Sequence, residues 1–573
     1  MRPPSEQAVD HPSHAAGRVW LAALGLALLV FGVFHSARNG EFLAWDDDIN
    51  LTTNPHLHPL TGENLRWMLT DTDWMRRYVP LAWLGWAAEQ AIFGLSAPAS
   101  HAINLGFHAA NACLTFAILC LLLRLKSGAN RGTPAAVVGW SFMLALFWAL
   151  HPLRVEPVAW ASGRLYLQAT FWVLLAVWAY LHSQTTAQAT ATRWRVAAVG
   201  LYAASLATYP IALGLPAALL LIDAAVTGRL SWHPARWTSD ECRQVWREKI
   251  PFLAVAGMAL GMTLWSRATV SGVWLGNTAG TIDAAVLIHR LMRALHHSLQ
   301  ILWKPFVPLG LGPVYIDLID PNPWALPYLA SAVVLLSVTL ALLRAARHNP
   351  APLAIWSCHF VFVLPYLGLT EATHYPNDRY TYLHGIIFLA VAAPLTLKLS
   401  LRAWSPFIGV GLVTLGLLAH RQVPIWRNDE TLFRHALSNV GEHFYRGDLT
   451  WRLGNALRQD GRKEEALRLY EETLRIALGA DSKAAAHHGL AVLALESGDA
   501  PRALEHWRAA ATLAPTTALY HQWTAFLLLQ AGRVQEAAVA IERGRRYDPA
   551  NPELIKYERG VRQLLGEGRD TKR

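Results

Sequence analysis

Apolar residues in this chain arrive in repeated blocks of roughly 18 to 25, the length at which an α-helix rising 1.5 Å per residue crosses about 30 Å of hydrocarbon. Their cores fall at about 19–35, 102–123, 135–150, 165–182, 196–209, 211–225, 251–266, 327–343, 351–369, 384–397 and 405–420. The pattern predicts an all-α, polytopic helical membrane domain of about eleven spans. A β-barrel would instead show alternation of period two, and a run such as Leu21–Phe34 shows none. A content of 53% hydrophobic and only 16% charged residues is too apolar for an ordinary soluble enzyme of this length.

The net charge of +10 is spread over short loops and the C-terminal region, with no dense stripe of the kind nucleic acid needs, so no nucleic-acid partner is expected. Cys113, Cys120 and Cys358 fall in apolar blocks and Cys242 in a polar loop, which excludes a disulfide framework and a CxxC metal pattern. The first block lacks a convincing cleavage site and reads as an uncleaved span behind a cytoplasmic tail, 1–18. If the spans alternate, Arg124, Lys126 and Arg131, then Arg193 and Arg195, the Arg229–Lys249 segment, Arg344 and Arg347, and Lys398 and Arg402 share one side. The positive-inside rule makes that side cytoplasmic. The opposite side receives the loop 38–98, the loop His151–Arg164, the segment 267–326, the loop Thr370–His384, and everything after His420. Ile282–Trp303 would put Arg290, Arg293, His296 and His297 at mid-membrane depth if it spanned, so a helix lying at the interface is expected there.

Beyond the membrane domain, 19–420, the composition of 421–573 turns to Ala, Leu, Glu and Arg with helical periodicity and self-similarity. Gly498, Ala503, Trp507, Ala510 and Pro515 recur 34 positions later as Gly532, Ala537, Ile541, Gly544 and Pro549. This is the tetratricopeptide period, in which small residues let paired helices approach and an aromatic fills the gap. An earlier copy, with Gly454, Gly461, Ala466 and Tyr470, sits three residues further off, and the segment Gly479–Lys483 is expected to absorb the excess as a loop. The domain is predicted to be an α-solenoid of about three repeats. Arrays of this kind dock proteins, and an acceptor or partner protein is expected on it; a plain membrane-anchored cap is the simpler alternative.

Three constellations carry chemistry. Asp46, Asp47 and Asp48 stand together just past the first span, where mutually repelling carboxylates beside a membrane suit a catalytic base with a cation-binding option, or else a solvated turn. His101, Asn104, His108 and Asn111 lie at helical spacing along one face of the second span, and lipid would not tolerate that stripe. It must face a polar cavity or other helices. His151, Arg154, Glu156 and Arg164 in one outer loop, and Asp378, Arg379, Tyr380 and Tyr382 in another, gather cations suited to phosphate with aromatic residues at the membrane edge. Interfacial anchoring is the alternative for both loops. Acids from one loop and phosphate-binding cations from others, beside lipid, suit an amphipathic substrate such as a polyprenyl-phosphate sugar.

At these residues the sequence resembles the GT-C class of polyprenyl-phosphate-sugar glycosyltransferases, and specifically the transmembrane and tetratricopeptide repeat O-mannosyltransferases with their bacterial relatives. The likeness is collinear: Trp45-Asp46-Asp47 with Thr53-Asn54-Pro55, Val79-Pro80-Leu81, His101 to Asn104 to His108, His151-Pro152 with Val155-Glu156 and Ala159-Trp160, Asp223, Glu248-Lys249-Ile250-Pro251, Asp378-Arg379-Tyr380, then the repeats. It implies a GT-C-like fold and an inverting transfer of a sugar from the lipid donor to a protein or glycan on the non-cytoplasmic side. It further implies Asp46 and Asp47 as candidate bases, Asp47 slightly preferred, with Glu156 as a second acid and Arg154, Arg164 and Arg379 as donor-phosphate ligands. Substrate contacts are expected from Asp48, His101, Asn104, His108, His151 and Tyr380. Whether Mg²⁺ or Mn²⁺ bridges Asp46–Asp48 and the phosphate is open. Two steps depart from the relatives: Thr208-Tyr209-Pro210 lacks a common Lys, and Arg164-Leu165-Tyr166 replaces Arg-Lys-Asp. A non-catalytic membrane scaffold, and a flippase or ligase of lipid-linked oligosaccharide, are the rival readings. An Ala- and Arg-rich composition favours a bacterial inner membrane with the repeats in the periplasm.

Overall fold

The computed structural model describes residues 12–127, 134–271, 284–315, 322–369, 377–441, 443 and 445–565. Arg131, most of the N-terminal tail, and parts of the expected outer segments 267–326 and 370–384 lie outside them. Every regular element among the described residues is helical, and the chain divides into compact units at Asn428/Asp429. The first unit runs through α1 (Pro12–Phe34), α2 (Gly62–Thr70), α3 (Pro80–Phe93), α4 (Ala97–Ser127), α5 (Pro134–Ala149), α6 (Val155–Ala159), α7 (Arg164–Ser183) and α8 (Gln188–Thr208). It continues with α9 (Leu215–Ala225), α10 (Asp240–Ser271), α11 (Ala284–Trp303), α12 (Leu326–Ala345), α13 (Ala351–Val363), α14 (Thr381–Thr396) and α15 (Leu401–Gln422).

All eleven apolar blocks lie in helices. Six helices, within Gly17–Asn39, Ala97–Lys126, Ala161–Ser183, Asp240–Ala268, Leu326–Ala345 and Leu401–Trp426, are long and apolar enough to cross a membrane, and Leu215–Ala225 and Ala351–Tyr366 are apolar but shorter. Ala135–Ala149 and Pro152–Ala159 together make a seventh candidate, bent by 62°. Pro152 explains the break: it has no N–H to donate, and it pushes His151 into an extended conformation (φ −70°, ψ 135°). The loop 38–98 contains two helices that the hydropathy pattern does not announce, α2 and α3, and α3 buries Trp83, Trp86 and Glu89. In α11 the basic residues expected at the interface turn inward, with His296 bonded to Ser331 at 2.7 Å, while Leu287 and Leu291 are exposed.

At the end of the bundle carrying Arg229 and Lys249, a buried ion pair joins α9 to α10. Lys249 Nζ lies 2.6 Å from Asp223 Oδ2, both side chains are fully buried, and Tyr180 of α7 bonds to each. Arg229 and Arg195 converge on Glu248 one residue away, so four segments are tied by one charge network. A buried charge stripped of its partner is strongly unfavourable. Lys249→Met is therefore expected to cost on the order of 3–5 kcal/mol, with part of it recovered in Asp223→Leu/Lys249→Met. Thermal unfolding of the detergent-solubilised protein reads this; a double variant no more stable than the single would refute it.

The second unit opens with α16 (Asp429–Val440) and stacks three hairpins, α17 (Arg446–Gln459) with α18 (Lys463–Ile476), α19 (Ala480–Glu496) with α20 (Ala500–Leu513), and α21 (Ala518–Gln530) with α22 (Val534–Tyr547). It closes with α23 (Pro552–Leu564). The three extra residues are not a loop: α19 has 17 residues where α17 has 14, so the insertion lengthens a helix whose start falls at Ala480. Tyr470, fully buried, fills the gap between hairpins, and its hydroxyl donates to Asn455 Oδ1 at 2.7 Å. A Cβ at Gly489 or Gly454 would collide with its ring, which is why both positions are glycine. Gly489→Val is expected to destabilise the array by about 1–3 kcal/mol through overpacking. Faster hydrogen exchange across α18 and α19, with the membrane helices unchanged, checks it.

Candidate functional site

The acid loop is held by its middle residue. Asp47 is completely buried, and its carboxylate accepts from Leu43 N at 3.0 Å, Ser162 N at 2.8 Å and Ser162 Oγ at 2.6 Å. Asn50 donates to the same Ser162 hydroxyl at 2.9 Å, so the first outer loop is clasped to the turn between α6 and α7. Asp48 opens a short helical turn, its carbonyl accepting from Thr53 Oγ1 at 2.8 Å. Asp46 is different. It is half-buried, its carboxylate has no hydrogen bond or ion pair among the described residues, and its φ of +73° is a conformation that non-glycine residues rarely adopt.

The polar stripe on α4 is fully buried, and its bonds run to protein groups. His101 reaches the Glu41 carbonyl at 3.3 Å; Asn104 donates to the Trp160 carbonyl at 2.9 Å and accepts from Arg164 Nε at 2.9 Å. His108 bridges Tyr382 Oη at 2.8 Å and the Ala149 carbonyl at 3.0 Å. These three residues, expected at the substrate, have the geometry of a scaffold that holds the loop 151–164 and the start of α14. His151 is likewise structural in its contacts, accepting from Leu153 N at 3.1 Å and bonding the Pro305 carbonyl at 2.9 Å.

The three expected phosphate ligands separate clearly. Arg164 is consumed by Glu89, Asn104 and the Ser100 carbonyl in a buried cluster. Arg379 pairs with Glu156, whose other oxygen accepts from Arg379 N at 2.9 Å, and it donates to Tyr166 Oη at 3.1 Å. Its guanidinium lies 5.1 Å from the Trp160 ring and 5.3 Å from that of Tyr380. Arg154 is 2% exposed, and its guanidinium makes no hydrogen bond among the described residues, being wedged 5.6 Å from the rings of both Trp148 and Tyr382. Position 385 of α14 is glycine, and a Cβ there would stand 3.3 Å from Arg154 Nη2 and 3.2 Å from the Trp148 ring, tight enough that one of them would have to give by a few tenths of an ångström.

Trp160 brings acid and cation together. Its indole donates to the Trp45 carbonyl at 2.7 Å, one residue before Asp46, and the same ring carries the Arg379 guanidinium. Sequence reasoning missed four contributors. Ser162 and Glu89 are single polar residues with no pattern to mark them, and Tyr315 and Lys304 lie in a segment read only as outer loop. Tyr315 donates to Asp378, and Lys304 sits 4.3 Å from the Tyr315 ring, so that loop closes on the same cluster. The only advance signal was Lys304-Pro305 directly after an amphipathic helix. Both Asp47 oxygens are taken by donors, so Asp47 has none left for a divalent cation, and among the described residues no three His, Cys, Asp or Glu side chains converge on one point.

Fold and site define a multi-pass helical membrane protein whose loops bury an acid–arginine cluster, followed by a tetratricopeptide array. Residues 445–516 match the family model described as Tetratricopeptide repeat, a protein-interaction module. Protein O-mannosyl-transferase TMTC2 of Mus musculus is 30% identical over 183 residues, 30% of this chain and 19% of that protein, and its Homo sapiens counterpart is 30% identical over 180 residues with the same coverage. Protein O-mannosyl-transferase TMTC1 of Mus musculus is 29% identical over 180 residues, 29% of this chain and 18% of that protein. The matches span about a fifth of the length of these curated relatives. The chain is thus similar to the transmembrane and tetratricopeptide repeat O-mannosyltransferases.

Burial pushes the Asp47 carboxyl up to about 7, with Asp46 adding to the rise while Ser162 and Leu43 hold it down. Burial, then Glu156, raises Asp378 to about 7 as well. A carboxyl whose folded value lies above its ordinary 3.8 binds its proton more tightly in the folded state, so its stabilisation is full below that value and is lost as pH rises through about 7. The melting temperature should therefore fall between these limits in the parent protein and fall less steeply in Asp47→Asn. Parallel pH profiles for the two would rule out Asp47 as a source of the slope.

Proposed function

We propose that this protein is a membrane glycosyltransferase that moves a sugar from a polyprenyl-phosphate donor to a hydroxyl of an acceptor protein on the non-cytoplasmic side. The observation behind this reading is that Trp160 donates to the Trp45 carbonyl, next in sequence to Asp46, while the same indole carries the Arg379 guanidinium. In the reaction the acceptor oxygen attacks the anomeric carbon, its proton passes to the Asp46 carboxylate, and the bond from that carbon to the phosphate breaks with its electron pair leaving on the phosphate. Single displacement inverts the anomeric centre. Asp46 takes the base role in place of Asp47 because it is half-buried with a free carboxylate, whereas Asp47 spends both oxygens fixing the loop.

Arg154 and Arg379 receive the phosphate. A buried guanidinium without a hydrogen-bonded partner is costly, and an anionic ligand supplies what the chain does not. Arg164, already neutralised by Glu89, acts through position alone. An apolar cleft between α4, α7, α9, α13 and α14, lined by Leu122, Val177, Ile222, Leu383 and Ile387, suits the lipid tail, and Leu383 adjoins the Tyr382 whose ring lies against Arg154. Chelators are expected to leave transfer unchanged, since Asp47 has no oxygen left for a cation. The names of the similar proteins favour mannose as the sugar, and the repeats would bind the acceptor.

Asp46→Asn should lower transfer from a radiolabelled polyprenyl-phosphate mannose by about 10²–10⁴-fold, the scale of a lost general base, while leaving the melting temperature within error. Arg154→Gln should raise the donor KM. Full complementation by Asp46→Asn in cells would favour the scaffold, and a purified protein that moves the intact lipid across vesicles without transferring its sugar would favour the flippase.

A further inference from the structure

The repeat unit carries a feature of its own, apart from the acid–arginine cluster. A groove of about 580 Å³ runs between the second helices of successive hairpins, α20 and α22, with α21 beneath it. Its floor is short or apolar, including Ala511, Leu528 and Ala540, which lets an extended backbone approach. Its rim is basic. Arg508, Arg543 and Arg546 line it against one acid, Glu536. That carboxylate is already shared, Arg508 Nη2 lying 2.5 Å and Arg533 Nε 2.6 Å from its oxygens. Arg546 meets only the exposed Glu542, at 3.4 Å, and Arg543 has no ion pair among the described residues.

We infer that this groove binds an extended acidic segment of a partner protein, with its carboxylates on Arg543 and Arg546 and small side chains on the Leu528–Ala540 floor. The choice of an acidic occupant follows from charge. A basic segment would meet three arginines and a carboxylate already neutralised twice, and a neutral one would leave Arg543 without compensation. Surface pairs of this kind contribute modestly to affinity and strongly to selection of the partner's sign. Side chains of Val539 and Tyr547, both about half exposed, add apolar contact on the α22 wall.

The test uses the full chain in nanodiscs of neutral lipid and a fluorescein-labelled ten-residue peptide of alternating Glu and Ala, followed by anisotropy. Saturable binding that weakens by about ten-fold in Arg543→Glu/Arg546→Glu, and weakens steadily with added salt, is the expected result. Arg468→Glu, an exposed position outside the groove, should leave the affinity unchanged and so control for net charge. Hydrogen exchange across α20–α22 verifies that the double variant stays folded. The inference is overturned if the peptide does not bind, if its Lys-for-Ala and Lys-for-Glu counterparts bind as well, or if charge reversal in the groove has no effect. It is also overturned if vesicles of anionic lipid protect the groove while the peptide does not.

Discussion

The site depends on one clasp. Ser162 gives two hydrogen bonds to the buried Asp47 carboxylate and accepts one from Asn50, which pins the acid loop to the turn that begins α7. Trp160, two residues earlier in that turn, fixes the Trp45 carbonyl and carries Arg379. Without this attachment the loop after α1 would have no reason to lie near the segment before α14, since nothing in its own sequence joins them. The α4 stripe completes the frame by satisfying carbonyls in the same turn, so that a run of irregular backbone is buried with its polar groups paired.

Three arginines with the same apparent chemistry end in three electrostatic states. Arg164 is locked into an ion pair, Arg379 is shared between an acid and aromatic faces, and Arg154 is enclosed with rings on two sides and no hydrogen bond among the described residues. What decides among them is tertiary: the position of Glu89 on a helix hidden within an expected loop, and a glycine on α14 that leaves room beside a guanidinium. The two departures from the related pattern also meet in space. The Tyr166 and Tyr209 rings lie 5.0 Å apart, and the Tyr166 hydroxyl accepts from Arg379.

Helices and repeats were legible because their signals are periodic and many residues long: apolar blocks for the membrane unit, a spacing of 34 for the array. The acid loop and the two basic loops were legible as motifs. Their internal roles were not. Asp46 and Asp47 are chemically identical neighbours, and only backbone conformation and burial separate the half-buried carboxylate from the fully buried, hydrogen-bonded one. The histidine stripe was correctly excluded from lipid, but a polar face bonded to backbone and one facing a cavity have the same spacing. Single contributors such as Ser162, Lys304 and Tyr315 leave no trace in any window of sequence.

The left-handed backbone at Asp46 has a thermodynamic corollary. Glycine would occupy that φ without penalty, and an aspartate held there retains conformational strain of the order of 1 kcal/mol or more. Substitution toward glycine would thus make the acid loop more durable while deleting its carboxylate. With Asp46 in the base role proposed above, robustness of the fold and reactivity pull in opposite directions at this residue, so variants selected for thermal endurance alone would drift away from that chemistry.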